Sequence, residues 1–188
     1  MSTEQLHTLT GDYTVDAAHS RVGFVARHAM ITKVRGQFET YDAHAHIDFD
    51  SPEKSSAQIT IDTASIDTRN EQRDGHLRTN DFFDVANHPQ ITFSSTSVER
   101  TDDETFRVAG DLTIKGVTKP VAIDFEFTGS AKDPYGNIRL GFEGQLTVNR
   151  RDWGVEWNAP LETGGVLVSD KVVLELEISA VQTMPEGT

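Results

Sequence analysis

The sequence predicts an all-β fold: one domain built as an antiparallel β-barrel of about eight strands. Two observations lead there. Apolar residues recur at every second position through most of the chain, the pattern of strands with one dry and one wet face. The links between these runs are short and rich in Asp, Gly, Asn and Pro, and short links join antiparallel neighbours, whereas parallel strands need long crossovers. Closure into a barrel removes the exposed edges that such a meander would otherwise carry.

The runs follow in order. Val22, Phe24, Ala26 and His28 share one phase, as do Ile47 and Phe49, Ile59 and Ile61, and Ile91, Phe93 and Ser95. Phe106, Val108, Gly110, Leu112 and Ile114 come next, then Val121, Ile123, Phe125 and Phe127. Leu140, Phe142, Gly144, Leu146 and Val148 form another, and Val172, Leu174, Leu176 and Ile178 close the series. Asp102–Glu104, Lys115–Pro120 and Asp133–Asn137 read as the links of the second half.

One segment breaks the alternation. Residues 67–78 are densely charged, and Asn70 has the character of an N-cap for a short helix starting near Glu71. With the adjacent aromatics Phe82 and Phe83, the segment near 70–85 reads as a helical insertion over one barrel end. A single domain is expected over 1–188, with a core of about 13–181 and both tails frayed, the residues after Gln182 among them.

Composition narrows the function. The 188 residues include no cysteine, which excludes disulfides and thiolate metal sites. Seventeen Lys and Arg stand against 30 Asp and Glu, a net charge of −13. Nucleic-acid binding draws on clustered cations, so it is not expected. The same charge opposes docking on anionic membranes, and no apolar stretch is long enough to span one, so no stable membrane insertion is expected. The first ten residues lack the charged and apolar regions of a signal peptide, which gives a cytoplasmic expectation.

Candidate chemical groups are few. His44 and His46 share one strand face but lack a third ligand in register, and their plain reading is two solvent-facing histidines. His19 and Ser20 are neighbours whose side chains diverge on an extended chain, and no Gly-x-Ser-x-Gly elbow occurs. Arg69, Arg73 and His76 follow helical spacing, with Arg78 close by. They read either as an anion-capturing cluster at a barrel mouth or as local partners of Asp67, Glu71, Asp74, Asp81 and Asp84. Arg150–Trp157 holds both tryptophans, as a cavity border or as end packing. Alternation alone leaves open whether an eight-stranded barrel is filled or hollow.

Four ordered blocks resemble the YceI-like family of polyisoprenoid-binding, lipocalin-like barrels. They are Tyr13-x-Val15-Asp16-x-x-His19-Ser20-x-Val22-x-Phe24 with His28, Gly36 and Phe38; Asn70-Glu71-Gln72-Arg73-Asp74-x-His76-Leu77-Arg78 with Asp81–Val85; Gly110–Val121; and Asn149–Val155 with Val168-Ser169-Asp170. Trp153 stands where the family usually has Phe.

The resemblance implies non-catalytic binding, storage or transport of a long amphiphilic lipid, such as a prenyl pyrophosphate or isoprenoid quinone, in an elongated apolar tunnel. Phe24, Phe93, Ile114, Ile123, Phe125, Leu140, Phe142, Leu174 and Leu176 are then expected to line the tunnel. Phe82, Phe83, Trp153 and Trp157 frame its mouth, and His28, Arg73, His76, Arg78 and Arg151 are the expected head-group contacts. The bound lipid is the only ligand expected, with no metal or cofactor, and the assembly implied is a homodimer. Two other readings are a stress-response scavenger of apolar small molecules and an enzyme acting on a bound lipid with His28 or His76 as base.

Overall fold

In a computed structural model that describes residues 3–162 and 164–183, the alternating runs form one antiparallel sheet that closes on itself. In chain order the elements are α1 (Thr3–His7), β1 (Gly11–Val15), β2 (Arg21–His28), β3 (Thr32–Phe38), β4 (Tyr41–Ile47), β5 (Ser56–Asp62), β6 (Ile66–Asp67), α2 (Glu71–Leu77), β7 (Gln90–Arg100), β8 (Thr105–Ile114), β9 (Val117–Lys132), β10 (Ile138–Asn149) and β11 (Lys171–Gln182). β1 pairs with β4, β2 with β3, and β3 with β6, so the first six segments are three long strands, each interrupted once. With β7 to β11 they make an eight-stranded up-and-down barrel closed between β11 and β1/β2.

The three interruptions lie side by side, and polar side chains replace the missing ladder bonds. Asp16 Oδ1 accepts from Ala18 N at 3.1 Å, and Ser20 Oγ accepts from Ser179 N at 2.9 Å. Asp62 Oδ1 accepts from Ala64 N at 3.1 Å, and Ser65 Oγ accepts from Thr40 N at 3.0 Å. Asp16 and Ser20 therefore bend the wall while giving the Ala18 and Ser179 N–H groups side-chain acceptors. A register shift between Ser95 and Ser97 moves the inward phase of β7 from Phe93 to Val98.

The expected link at Lys115–Pro120 is shorter than the sequence suggests. Lys115 and Gly116 alone form the turn, both at positive φ, and Pro120 lies inside β9. Proline is tolerated there because the β9–β10 ladder ends at the Asp124–Gln145 pair, which leaves one edge of β9 unpaired at Pro120.

One barrel end is solidly packed. Phe49 meets Phe106 and Phe127 at ring-centroid distances of 5.9 and 5.4 Å, over Val98, Leu140 and Ala180. The N-terminal residues are part of this plug rather than frayed, since Leu6 and Leu9 are buried in it. Leu9 O accepts the Tyr13 hydroxyl at 2.5 Å, and burial raises that phenol to about 12. At the C-terminus, Thr183 N donates to Asp12 O at 2.8 Å, and the expected fraying beyond it lies outside the described residues.

Outside the plug, Arg139 donates to Asp16 at 2.6 Å and to Asp133 at 3.0 Å. Backbone N–H groups of the 133–137 turn, led by Asn137 and helped by Arg139, hold the Asp133 carboxyl down at about 2, below its ordinary 3.8. Arg139 first and His19 second also lower Asp16. A carboxylate with a depressed folded pKa stabilises above its unfolded pKa and loses that contribution as pH falls through the folded value. Thermal stability should therefore decline between about pH 4 and 2, and Asp133→Asn should flatten that decline in a pH series of melting temperatures. An unchanged slope in the variant would remove Asp133 as the source.

Candidate functional site

Between the plug and the opposite end lies a cavity of about 330 Å³, lined almost wholly by apolar side chains. Phe24, Phe93, Ile114, Ile123, Phe125, Phe142, Leu174 and Leu176 line it, as their strand phases require. Leu140 does not. It shares the inward phase but sits at the start of β10, inside the plug, at 1% exposure.

The space exists because much of the inward phase is small. Ala26, Ala43, Ala45 and Ala57 face the cavity, and three glycines sit beneath aromatic rings. Gly36 pairs across the sheet with Phe24, Gly144 pairs with Phe125, and Gly110 lies diagonal to Phe93. A Cβ on Gly144 would lie 2.8 Å from the Phe125 ring, one on Gly110 would lie 2.5 Å from that of Phe93, and one on Gly36 would collide with Phe24. The missing side chains let these rings lie flat on the wall instead of projecting into the middle.

The far end is covered by α2, the 78–89 segment and the 150–170 loop. Leu77, Phe82, Phe83 and Trp153 line the cavity from this lid. Phe83 meets Phe38 edge-on at 6.1 Å, and Trp153 Nε1 donates to Leu112 O at 2.9 Å. Trp157 lies outside the lining, where it meets His76 edge-on at 4.7 Å and Phe82 at a tilt at 5.3 Å.

The charged residues of α2 hold the lid in place. Asn70 caps the helix, accepting from Arg73 N at 2.9 Å. Asp74 is buried and accepts from Thr68 N at 2.9 Å and Thr68 Oγ1 at 2.5 Å. Arg73 donates to Thr68 Oγ1 and Thr68 O, both at 2.7 Å. Arg78 donates to Ala64 O at 3.0 Å and Ile66 O at 3.2 Å, and His76 shares a 2.8 Å hydrogen bond with Asp81. Arg73, His76 and Arg78 are thus bound to local backbone and carboxylate, and none of them lines the cavity.

His28 is exposed at the end of β2, and Arg151 points outward to Asp170 at 2.9 Å; neither lines the cavity. The arginine that does is Arg150, one residue earlier and 7% exposed. It donates to Ser169 O at 2.9 Å, Val155 O at 2.7 Å and Val168 O at 3.4 Å, tying together both ends of the 150–170 loop. Burial pulls its pKa below the ordinary guanidinium value. The signal was present in the sequence, because Arg150 continues the inward phase of Leu146 and Val148 while Arg151 falls on the outward one. His44 and His46 each bond an aspartate, Asp42 at 3.2 Å and Asp12 at 2.8 Å. Among the described residues, no group of three His, Cys, Asp or Glu converges on a metal position.

Two substitutions separate anchoring from ligand contact. Arg73→Ala should lower unfolding free energy by about 2 kcal/mol in urea titration without any ligand present, because it removes charge-assisted bonds to the Thr68 backbone. Arg150→Met should cost on the order of 3 kcal/mol by stranding buried carbonyls, while Arg151→Met should stay within about 0.5 kcal/mol of the parent. Equal effects at 150 and 151 would contradict the inward assignment of Arg150.

Comparisons with known proteins agree with this architecture. The YceI-like domain model matches residues 13–180. A UPF0312 protein of Ectopseudomonas mendocina is 40% identical over 149 residues, 78% of each chain. The crystal structure of Burkholderia cenocepacia BcnA superposes with a TM-score of 0.78 at 27% identity, covering 88% of this chain and 98% of that one. A polyisoprenoid binding domain from Saccharophagus degradans has the same fold, with a TM-score of 0.69 at 18% identity over 91% and 98% of the two chains. The chain belongs to the YceI-like family.

Proposed function

We propose that this barrel binds a long amphiphile by its apolar tail, a polyisoprenoid being the ligand class, and carries or stores it without changing it covalently. The observation that carries the reading is the hollow middle: about 330 Å³ of apolar space between two packed ends, held open by glycines under aromatic rings. That volume falls in the range of small-molecule pockets, roughly 300–1,000 Å³. Each buried methylene contributes about 0.8 kcal/mol, so roughly ten supply about 8 kcal/mol before the cost of ordering the chain. The named ligand of the Saccharophagus degradans domain, which shares the fold, supports the tail chemistry. The histidines considered as bases, His28 and His76, stand outside the lining, which favours binding over catalysis on a bound lipid.

Native mass spectrometry of gently purified protein tests the reading, followed by uptake of long prenyl and fatty ligands. Absence of copurified lipid together with failure to take up any such ligand would overturn it. Similar affinities across a broad panel of unrelated apolar compounds would favour the scavenger instead. Gly144→Val and Gly36→Val, which push Phe125 and Phe24 off the wall, should weaken uptake roughly tenfold or more. Ala43→Leu adds bulk to the cavity at a position paired across the sheet with Ile59 rather than with an aromatic ring, so it should weaken uptake while leaving the melting temperature unchanged or raised.

A further inference from the structure

The β2–β3 hairpin is charged unlike the rest of the molecule. Residues 17–38 contain no Asp or Glu, although the chain carries 30 of them, and they include Arg21, Arg27, Lys33 and Arg35. Arg21 pairs with Glu175. Arg27 and Lys33 face each other directly across the hairpin, a like-charge pairing that destabilises a sheet. Beyond the Val173–Val25 pair the ladder breaks, and Arg27 O accepts from Ser169 N at 3.1 Å, while Lys171 begins β11 two residues before Val173. Arg27 and Lys33 thus form a cationic row across the hairpin on its outer face, with Arg35 in the row below and Lys171 at the start of the adjoining strand β11. None of these four is in an ion pair among the described residues.

Above this row the hairpin ends in bare apolar side chains. Met30 is 59% exposed and Ile31 is 79% exposed. Ala29 and Met30 form the turn at φ of 51° and 59°, a conformation that Asn and Gly adopt readily and Met does not. Ala29 N donates to Leu167 O at 2.8 Å, so the tip adjoins the segment in which Pro160 and Val166 are bridged and Val166 is exposed. The hairpin root reaches the cavity, since both Ala26 and Val168 line it.

We propose that this end of the barrel docks reversibly on the surface of an anionic lipid bilayer, with Met30 and Ile31 entering the interface and Arg27, Lys33, Arg35 and Lys171 meeting the headgroups. An apolar tip above a cationic row matches the layering of such a surface, apolar inside and negatively charged outside. A nucleic acid offers the charge but no place for Met30 and Ile31. A second copy of the chain would need roughly 800 Å² per partner, and a two-residue projection presents far less. The net charge of −13 opposes approach in most orientations, but screening over about 8 Å at physiological salt leaves the local row in control once this end faces the bilayer. The proposal extends the carrier reading by giving it a place to load and unload, yet it is tested separately.

Full-length protein is mixed with vesicles of phosphatidylcholine alone or with about one third phosphatidylglycerol and sedimented at low and at physiological salt. Binding is expected only with phosphatidylglycerol, weaker at the higher salt, and reduced roughly tenfold or more in both Ile31→Asp and the Arg27→Gln, Lys33→Gln double variant. No binding to phosphatidylglycerol vesicles at low salt, or equal binding by both variants, overturns the proposal. So does a dimer, seen by analytical ultracentrifugation, that Ile31→Asp dissociates while vesicles stay unbound. Ligand uptake measured without vesicles keeps the two readings apart: a parent protein that takes up ligand but binds no vesicles tells against docking alone, and one that binds vesicles without uptake tells against the carrier alone.

Discussion

Closure of the sheet through β11 is the constraint on which the other features depend. One edge of β11 is hydrogen-bonded to β10 from Arg139 to Asn149, and the other is shared between β2 above and β1 below. The handover occurs at Ser179, whose backbone meets Asp16 N and Ser20 Oγ. With the ring closed, no interior side chain has to cover a strand edge. Burial is then concentrated at the ends, in the Phe49–Phe106–Phe127 plug and under the lid. The middle can stay empty because the ladders and the two ends hold the fold. An empty apolar centre still costs stability in proportion to its volume, which gives the small wall residues a purpose other than packing.

The same economy explains the charged motif over the lid. Loops at a barrel end leave main-chain carbonyls without ladder partners, and each must be bonded if it is buried. A guanidinium suits this task because its fork of donors can reach several carbonyls at once. Arg73 takes Thr68, Arg78 takes Ala64 and Ile66, and Arg150 takes Val155, Val168 and Ser169. The Asn70–Arg78 block therefore reads as a clamp between α2 and β6, with Asp74 buried as its acidic counterpart. What remains at the cavity surface is apolar, apart from Arg150 and a few hydroxyl, amide and imidazole groups.

Much of this was legible in the sequence. Alternation located the second-half strands, and Asn70 announced α2. The first half was harder to read because its strands are interrupted. β1 is only five residues long, and the phase of β4 is carried by Tyr41, Ala43, Ala45 and Ile47, two of which are too small to register as a hydrophobic run. Those same alanines, with Gly36, Gly110 and Gly144, were the sequence's evidence for a hollow barrel, visible only once cross-strand neighbours are known. The arginine roles were not readable, because which carbonyls lack partners depends on how the loops close. Arg150 against Arg151 is the exception, decided by strand phase alone.

Net charge describes the molecule as a whole, whereas the charges are sorted by position. Two hairpin turns at the lid end make the point from backbone geometry. Both place two consecutive residues, Lys115–Gly116 and Ala29–Met30, at positive φ, the first as a two-residue link and the second with Ile31 completing a three-residue one. The first uses glycine, so this fold has ready access to the low-strain solution. The second places an exposed methionine where strain opposes it and sets Arg27 opposite Lys33 below it. Neither choice helps the barrel fold, and both make one end apolar at its tip and positive around it. Features that work against local stability and coincide in one place mark that place as a site selected for something other than folding, which is what the docking proposal supplies.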